Sequence, residues 1–495
     1  MESMVESTTS TLIPYEDYEL IVGLEVHMQL TTLSKAYCSD KNEFGALPNT
    51  QVSPVSLGHP GTLPMMNRGS IECAIQLGLA MNMDIHRDMY FARKNYFYAD
   101  LPKGYQITQD KTPICTGGYL DIKDENDQVK RIGITRAHLE EDAGKSMHDQ
   151  DPFDTLIDLN RAGVPLIEVV SEPDIRSSKE AYQYLTELRK LVRYLGICDG
   201  NMEEGSMRCD ANISVRKKGD THFNTRCEVK NMNSIRNVQR AIEFEMKRQI
   251  EVVETGGIIE QETRSFDAAN GTTFTLRSKE LAHDYRYFPE PDILPVHLSQ
   301  AEIEEIKSAL PALPQQLFNK YITQFGLSEY DAMVITQEKE TALWFEALVS
   351  LTKEYKTAAN WLMGPIKAIL NDRAMSITQM TLSIQQVAGI IELVHSGKVS
   401  SSAAAEKILP ILFDQPSSTA VTVAQELNLI QDAAEDDIRN IALAVIAEWP
   451  DKVAAYKAGN KGLLGLFMGE LMKKSNGKAN PKTASQIIQE ILNEP

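Results

Sequence analysis

Read at a period of two, the stretch Met202–Asn212 and its continuation put Arg208, Asp210, Asn212 and Ser214 on one face of a strand. Glu228 and Lys230 share a face of the next segment. Between them Lys217-Lys218-Gly219-Asp220 is a turn signal, so the two segments are expected to pair as a hairpin. A face of carboxylates, amides and cations cannot serve as a core face, because each unpaired charge taken out of water costs several kcal/mol. It suits a cavity holding Mg²⁺ and phosphate. The chain therefore reads first as an enzyme.

The rest of the sequence bounds that reading. Its 495 residues allow two to four domains with substantial cores, and 42% hydrophobic with 24% charged residues is a globular composition. No run of about 18 apolar residues is present, so no membrane-spanning helix is expected. The first twenty residues are Ser/Thr-rich and acidic without an apolar stretch, and the first arginine is Arg68. Neither a secretory signal nor a transit peptide is expected, and residues 1–18 read as a disordered tail. Six scattered cysteines (38, 73, 115, 198, 209 and 227) read as reduced thiols of a cytoplasmic protein. The net charge of −19 argues against DNA or an anionic membrane as partner. One patch runs the other way: from Lys452 to Lys482 seven lysines face a single acid, Glu470.

Three parts are expected. Residues 19–295 alternate strand-like runs with a few helical patterns and lack a βαβ rhythm, which predicts an α+β domain with a largely antiparallel sheet. Ser177 and Ser178 are cap candidates for a helix from Lys179, with Gly196 past its end. Residues 296–412 read as amphipathic helices, the first with Ser299 and Glu302 as a capping box. Asp414-Gln415-Pro416-Ser417-Ser418 reads as a linker, leaving 413–495 as a small helical tail domain.

Within the first part Leu24–Leu30 lines up Glu25, His27 and Gln29 on one strand face. His138-Leu139-Glu140-Glu141-Asp142 groups three carboxylates, and Glu168 is set in the apolar run Pro165–Val170. A buried Glu168 requires an arginine partner or a metal. Two motifs fall short. Asp142-Ala143-Gly144-Lys145-Ser146 ends like a phosphate loop, but Leu139 stands where its first glycine belongs, so it reads as a turn after a strand. Cys38-Ser39-Asp40 with Ser53-Pro54-Val55-Ser56 has the spacing of a zinc site, yet three of the four cysteine positions are not Cys, which argues against structural Zn²⁺. The runs Arg93–Ile107 and Asp284–Asp292 mix cations with aromatics, as nucleotide or RNA contacts do, and as surface loops also do.

Together these strings, with Pro60–Pro64, Asp158–Gly163, Glu168–Arg176, Lys279–Asp292 and Gly465–Pro481, resemble the B subunits of tRNA-dependent amidotransferases, the GatB family, over nearly the full chain. The resemblance implies a cradle-like catalytic domain, a helical domain and a tail domain. It implies ATP and Mg²⁺ as cofactors, and phosphorylation of the side-chain carboxylate of misacylated Glu-tRNA(Gln), with Asp-tRNA(Asn) as a second substrate. It also implies three partners: misacylated tRNA, an amidase that supplies ammonia, and a small third protein that completes a heterotrimer. Carried over by motif, Glu25, His27, Glu140, Glu168, Asp210 and Glu228 become catalytic and metal-binding. Arg208, Lys230 and Asn212 become cofactor-binding, and Lys473, Lys474, Lys478 and Lys482 contact tRNA. Many members of the family carry a four-cysteine zinc site, from which this sequence departs. The competing expectation is a non-enzymatic tRNA-binding scaffold of the same complex. A glutamine hydrolase on this chain finds no recognisable nucleophile motif.

Overall fold

The structure, a computed structural model, describes residues 13–148, 150–278, 285–431, 435–475 and 478–493. Two compact units divide the chain, Met1–Leu313 and Pro314–Pro495.

The first unit is built on a sheet of 13 strands among the described residues. Its centre is β1 (Tyr18–Gln29), where Val22, Leu24, Val26 and Met28 are fully buried while Glu25, His27 and Gln29 alternate with them. Helix α1 (Arg68–Ala80) follows, then β2 (Ala92–Asn95), β3 (Tyr105–Thr108), β4 (Val129–Glu141) and β5 (Pro165–Ser171). After α2 (Ser178–Leu195) come β6 (Met207–Lys217), β7 (Cys227–Lys230), α3 (Ile235–Glu254), β8 (Glu262–Asp267) and β9 (Thr272–Ser278). Across the sheet the order of these strands is β9-β8-β7-β6-β1-β5-β4-β3-β2. Neighbours are antiparallel except β7 and β8, which run parallel because α3 carries the chain back between them. The expected hairpin of β6 and β7 forms, pairing Ala211 with Val229 and Asn212 with Glu228. The α+β reading with a largely antiparallel sheet holds.

The apolar face of the sheet is sealed by α2 and α3, through residues such as Tyr184, Leu185, Leu188, Val238 and Ile242. Ser177 caps α2 by accepting from the Glu180 backbone N–H, and Gly196 ends it at φ 74°, a left-handed conformation glycine adopts without strain.

Several expectations shift. Residues 1–12 of the expected tail, Asp149, 279–284 of the matched stretch (the last of them opening the second aromatic run), 432–434, 476–477 and 494–495 lie outside the described residues. Residues 13–18 are not tail: Ile13 packs on the core, Tyr15–Asp17 form a 3₁₀ turn, and β1 starts at Tyr18. Helix α4 (Gln300–Ser308) has the expected Ser299–Glu302 capping box, yet it belongs to the first unit. Its Ile303 joins the core and Glu302 meets Arg68 at 2.6 Å. The unit boundary thus falls at 313/314 instead of 295/296, because Leu298 and Ile303 are drawn into the sheet domain's core. At the zinc-like spacing, the Asp40 carboxylate accepts from the Ser53 backbone N–H at 2.9 Å and the Ser56 hydroxyl at 2.6 Å, so hydrogen bonds close that loop.

The second unit is helical among the described residues. Helix α5 (Ile384–His395) packs with α6 (Ala420–Glu426), which buries Ala420, Val423 and Ala424. The Pro/Ser stretch before α6 is not a free linker: the Gln386 amide donates to the Ser418 carbonyl at 2.9 Å and to those of Gln415 and Pro416 at 3.3 Å. Beyond it, α7 (Glu435–Glu448), α8 (Leu464–Lys474) and α9 (Pro481–Asn493) share a core of their own that includes Ile438, Val445, Phe467, Leu471 and Ile488. Pro314–Pro495 is one unit, and within it the separate core starts beyond α6, at Ile438, and not at 412/413. No helix among the described residues is long and apolar enough to cross a membrane.

Candidate active site

Because each strand's alternate residues are apolar and core-facing, the remaining residues share the sheet's other face. Register then decides who meets whom. Across β1 and β6, Glu25 lies opposite Asp210 and His27 opposite Arg208. Across β1 and β5, His27 lies opposite Glu168, and across β5 and β4, Glu168 lies opposite His138.

Two triads result. His27, Glu140 and Glu168 each offer a ligand atom within 4.8 Å of the others, and so do Glu25, Asp210 and Glu228. His27 Nε2 is 3.3 Å from Glu168 Oε2 and 3.6 Å from Glu140 Oε1. The Asn212 amide donates to Glu25 Oε1 at 2.8 Å, and the Thr263 hydroxyl to Glu228 Oε2 at 2.8 Å. The Lys230 ammonium pairs with Asp210 and, at 3.0 Å, with Glu228. All six acid and histidine residues singled out from sequence therefore stand together on one face.

Charge in the site is uneven. Burial raises the Glu25 pKa above its ordinary 4.5, and the Glu168, Glu228 and Asp210 carboxylates push it further against the Asn212 hydrogen bond. Glu168 behaves oppositely: burial opposes its ionisation, but the His27 hydrogen bond, with the His138, His27 and Lys94 side chains around it, holds it well below the usual carboxylate range. The acids around Glu25 thus repel one another, the condition a divalent cation relieves. An imidazole with two carboxylates, beside three carboxylates, is a donor set that fits Mg²⁺ or Mn²⁺.

Burial alone would lower the His27 pKa from 6.5, but the Glu168 hydrogen bond and the Glu168, Glu140 and Asp210 charges raise it to about 9. A proton bound more tightly in the folded state stabilises the metal-free protein fully below pH 6.5, and that contribution fades as pH rises through 9. A cation needs the neutral imidazole, so proton and metal compete. Mn²⁺ affinity should accordingly rise roughly tenfold per unit between pH 7 and 9, while the metal-free melting temperature falls. An affinity flat across that range, measured by direct titration, removes His27 from the ligand set.

Arg208, the expected phosphate contact, pairs at 2.9 Å with Asp142, a buried carboxylate that also accepts from Gln29 at 2.8 Å. Arg93 grips Glu290 at 2.7 and 2.9 Å and Asp292 at 3.0 Å, so it fastens β2 to the 288–292 segment. The two aromatic runs meet there: Tyr96 lies edge-on to Tyr285, which lies edge-on to Tyr287. Phe97 and Tyr98 remain exposed. Gly144 of the phosphate-loop look-alike packs too closely for any side chain, a Cβ meeting the Asp100 carbonyl oxygen at 2.9 Å. Its own carbonyl accepts from Arg161 at 2.6 Å, which makes it a packed turn. Glu141 faces the opposite way, into a cavity of about 70 Å³ lined by Tyr37, Lys103 and Tyr105 among others.

Sequence reasoning gave no role to three residues of the wet face, His138, Asp142 and Lys94, although the strings it singled out contain them. Period two counted back and forward from Glu140 would have placed His138 and Asp142 beside it. Lys94 sits half-buried with its ammonium 5.0 Å from the Tyr285 ring centre. Burial lowers its pKa, but the Glu140, Tyr287, Tyr285 and Glu168 charges raise it above the ordinary value.

In the second unit Lys473, Lys474, Lys478 and Lys482 are all exposed. Lys474 is paired with Glu448. The other three enter no ion pair among the described residues.

Residues 20–304 match the family described as the GatB/GatE catalytic domain, and residues 343–492 the one described as the GatB domain. Among curated proteins, the B subunit of the aspartyl/glutamyl-tRNA(Asn/Gln) amidotransferase of Persephonella marina is 47% identical, covering 96% of this chain and 100% of its own. The protein of the same name from Thermodesulfovibrio yellowstonii is also 47% identical, over 96% and 100%. That of Chlorobium chlorochromatii is 47% identical over 96% and 99%.

Proposed function

The chain belongs to the GatB family, whose curated members are amidotransferase subunits, and we propose that it performs the ATP-dependent step of tRNA amidation. In this reading the wet face phosphorylates the side-chain carboxylate of misacylated Glu-tRNA(Gln), and in the same site Asp-tRNA(Asn), before ammonia attacks. A free carboxylate does not yield an amide, because oxide and hydroxide leave poorly, whereas phosphate leaves well. The observation that carries the reading is the convergence of two ligand triads on one strand, β1.

His27, Glu140 and Glu168 would hold one Mg²⁺, and Glu25, Asp210 and Glu228 a second. Bound Mg²⁺ would neutralise the ATP phosphates and polarise the transferred phosphoryl group. Asn212 and Thr263 orient Glu25 and Glu228 for that task. Lys230 supplies a cation at the same place, neutralising Asp210 and Glu228, and Arg208 holds Asp142 at the site's rim. Lys473, Lys478 and Lys482 would track the tRNA backbone. A separate amidase would supply ammonia, and a small third protein would complete a cytoplasmic heterotrimer.

The test uses the assembled complex without glutamine. Adding Glu-tRNA(Gln) should start ATP hydrolysis and leave a labile phosphorylated aminoacyl-tRNA. A scaffold that only presents tRNA would leave ATP untouched, and that result would overturn the proposal.

A further inference from the structure

His138 lies on β4 two residues before Glu140, directly opposite Glu168 on β5. The residue is only 4% exposed. Nε2 stands 3.3 Å from Glu168 Oε2 and 3.9 Å from Glu140 Oε2, while Nδ1 has no hydrogen-bond partner among the described residues. The same Glu168 oxygen is 3.3 Å from His27 Nε2. Two imidazoles therefore converge on one carboxylate oxygen.

The two rings cannot do the same work. If a cation is held by His27, Glu140 and Glu168, it takes the lone pair of His27 Nε2, and that nitrogen no longer donates to Glu168. His138 is the imidazole that can still donate. Hydrogen on its Nε2 gives Glu168 a donor and leaves Nδ1 as a buried acceptor. The other tautomer would bury an unpaired N–H and turn a lone pair toward a carboxylate. The partners thus select the tautomer with the hydrogen on Nε2.

We infer that His138 is a positioning residue of this site: its Nε2–H fixes the Glu168 carboxylate in the orientation that binds a divalent cation together with His27 and Glu140. The inference rests on the metal-binding reading of that triad. Donors that orient a ligating carboxylate are worth about 10- to 100-fold in metal affinity.

The experiment is a titration with Mn²⁺ alone, read from the EPR signal of the free ion, on the full-length chain in its complex without ATP or tRNA. His138→Ala and His138→Phe, the second filling the same space without a donor, should each weaken Mn²⁺ binding about 10- to 100-fold. His138→Gln can return an N–H to Glu168 and should recover most of that loss. Melting curves identify which variants are folded, and whichever donor-less variant folds is compared with the glutamine. Mn²⁺ affinity unchanged without a donor overturns the inference, as does a glutamine variant no better than the donor-less ones. Glu168→Gln tests the reading beneath it. Full Mn²⁺ affinity in that variant refutes the triad as a metal site. Loss there, with none at His138, refutes the positioning role alone.

Discussion

Replacing Asp210 with asparagine is expected to lower ATP-dependent phosphorylation of misacylated tRNA about 10³-fold in a protein that still folds. The change removes one charge and almost no volume. Asp210 faces Glu25 across the β1–β6 register and belongs to the triad with Glu25 and Glu228. An amide oxygen remains a donor to a cation but a weak one, and several kcal/mol of phosphoryl charge stabilisation depend on such a cation, equivalent to about three decades of rate. The cost to folding is smaller. Lys230, which loses one partner, keeps Glu228 at 3.0 Å, and its side chain is 32% exposed. One like charge also disappears beside Glu25, whose pKa those neighbours raise. Glu25→Gln should behave alike. Single-turnover transfer of the γ-phosphoryl group, with melting temperature alongside, decides the matter. Parental rates in both variants would show that the chemistry lies elsewhere on the chain.

Why the sequence reached these residues, and where it stopped, is a matter of periodicity and distance. Glu25, His27, Asp210 and Asn212 are legible because each alternates with a core-facing neighbour, such as Val26, Cys209 or Ala211. Helix ends were legible for the same local reason, at Ser177, Gly196 and Ser299. Register is not local. That one oxygen of Glu168 faces both His27 and His138 follows from antiparallel pairings between distant strands, and no short window contains it. The partners of Arg208 and Arg93 are hidden for the same reason, since Asp142 and Glu290 reach them only in the folded sheet. The Pro/Ser stretch read as a linker because its composition is that of one, while Gln386 holds it from an earlier helix. The family resemblance carried the proposed metal ligands further than pattern alone could, since it joined five separate strings into a single expected site.

Removing residues from 435 onward should weaken tRNA binding and flatten its salt dependence, leaving nucleotide binding near the parental level. The cut is set by packing. A truncation at Pro416 would strip α6 from α5, exposing Ala420, Val423, Ala424 and their partners. Helices α7 to α9 close over their own core, so they can be lost together. Their tie to the preceding helices includes the Asn480 amide donating to the Gly397 carbonyl at 2.9 Å. Lys474 is already paired with Glu448, so three lysines, 473, 478 and 482, are counted as phosphate contacts. Each released counterion contributes about 0.9 to the slope of log affinity against log salt on duplex RNA or DNA backbones, so the slope should shrink by about 3. Between 50 and 200 mM salt the parent would then lose roughly 40-fold more affinity than the truncated chain. Reversing only Lys473, Lys478 and Lys482 to glutamate should flatten the slope at least as far while leaving the apolar core of α7 to α9 untouched, which separates charge from fold. A truncated protein with the parental slope would mean that these lysines are solvated side chains of a packing domain, and that tRNA is gripped elsewhere.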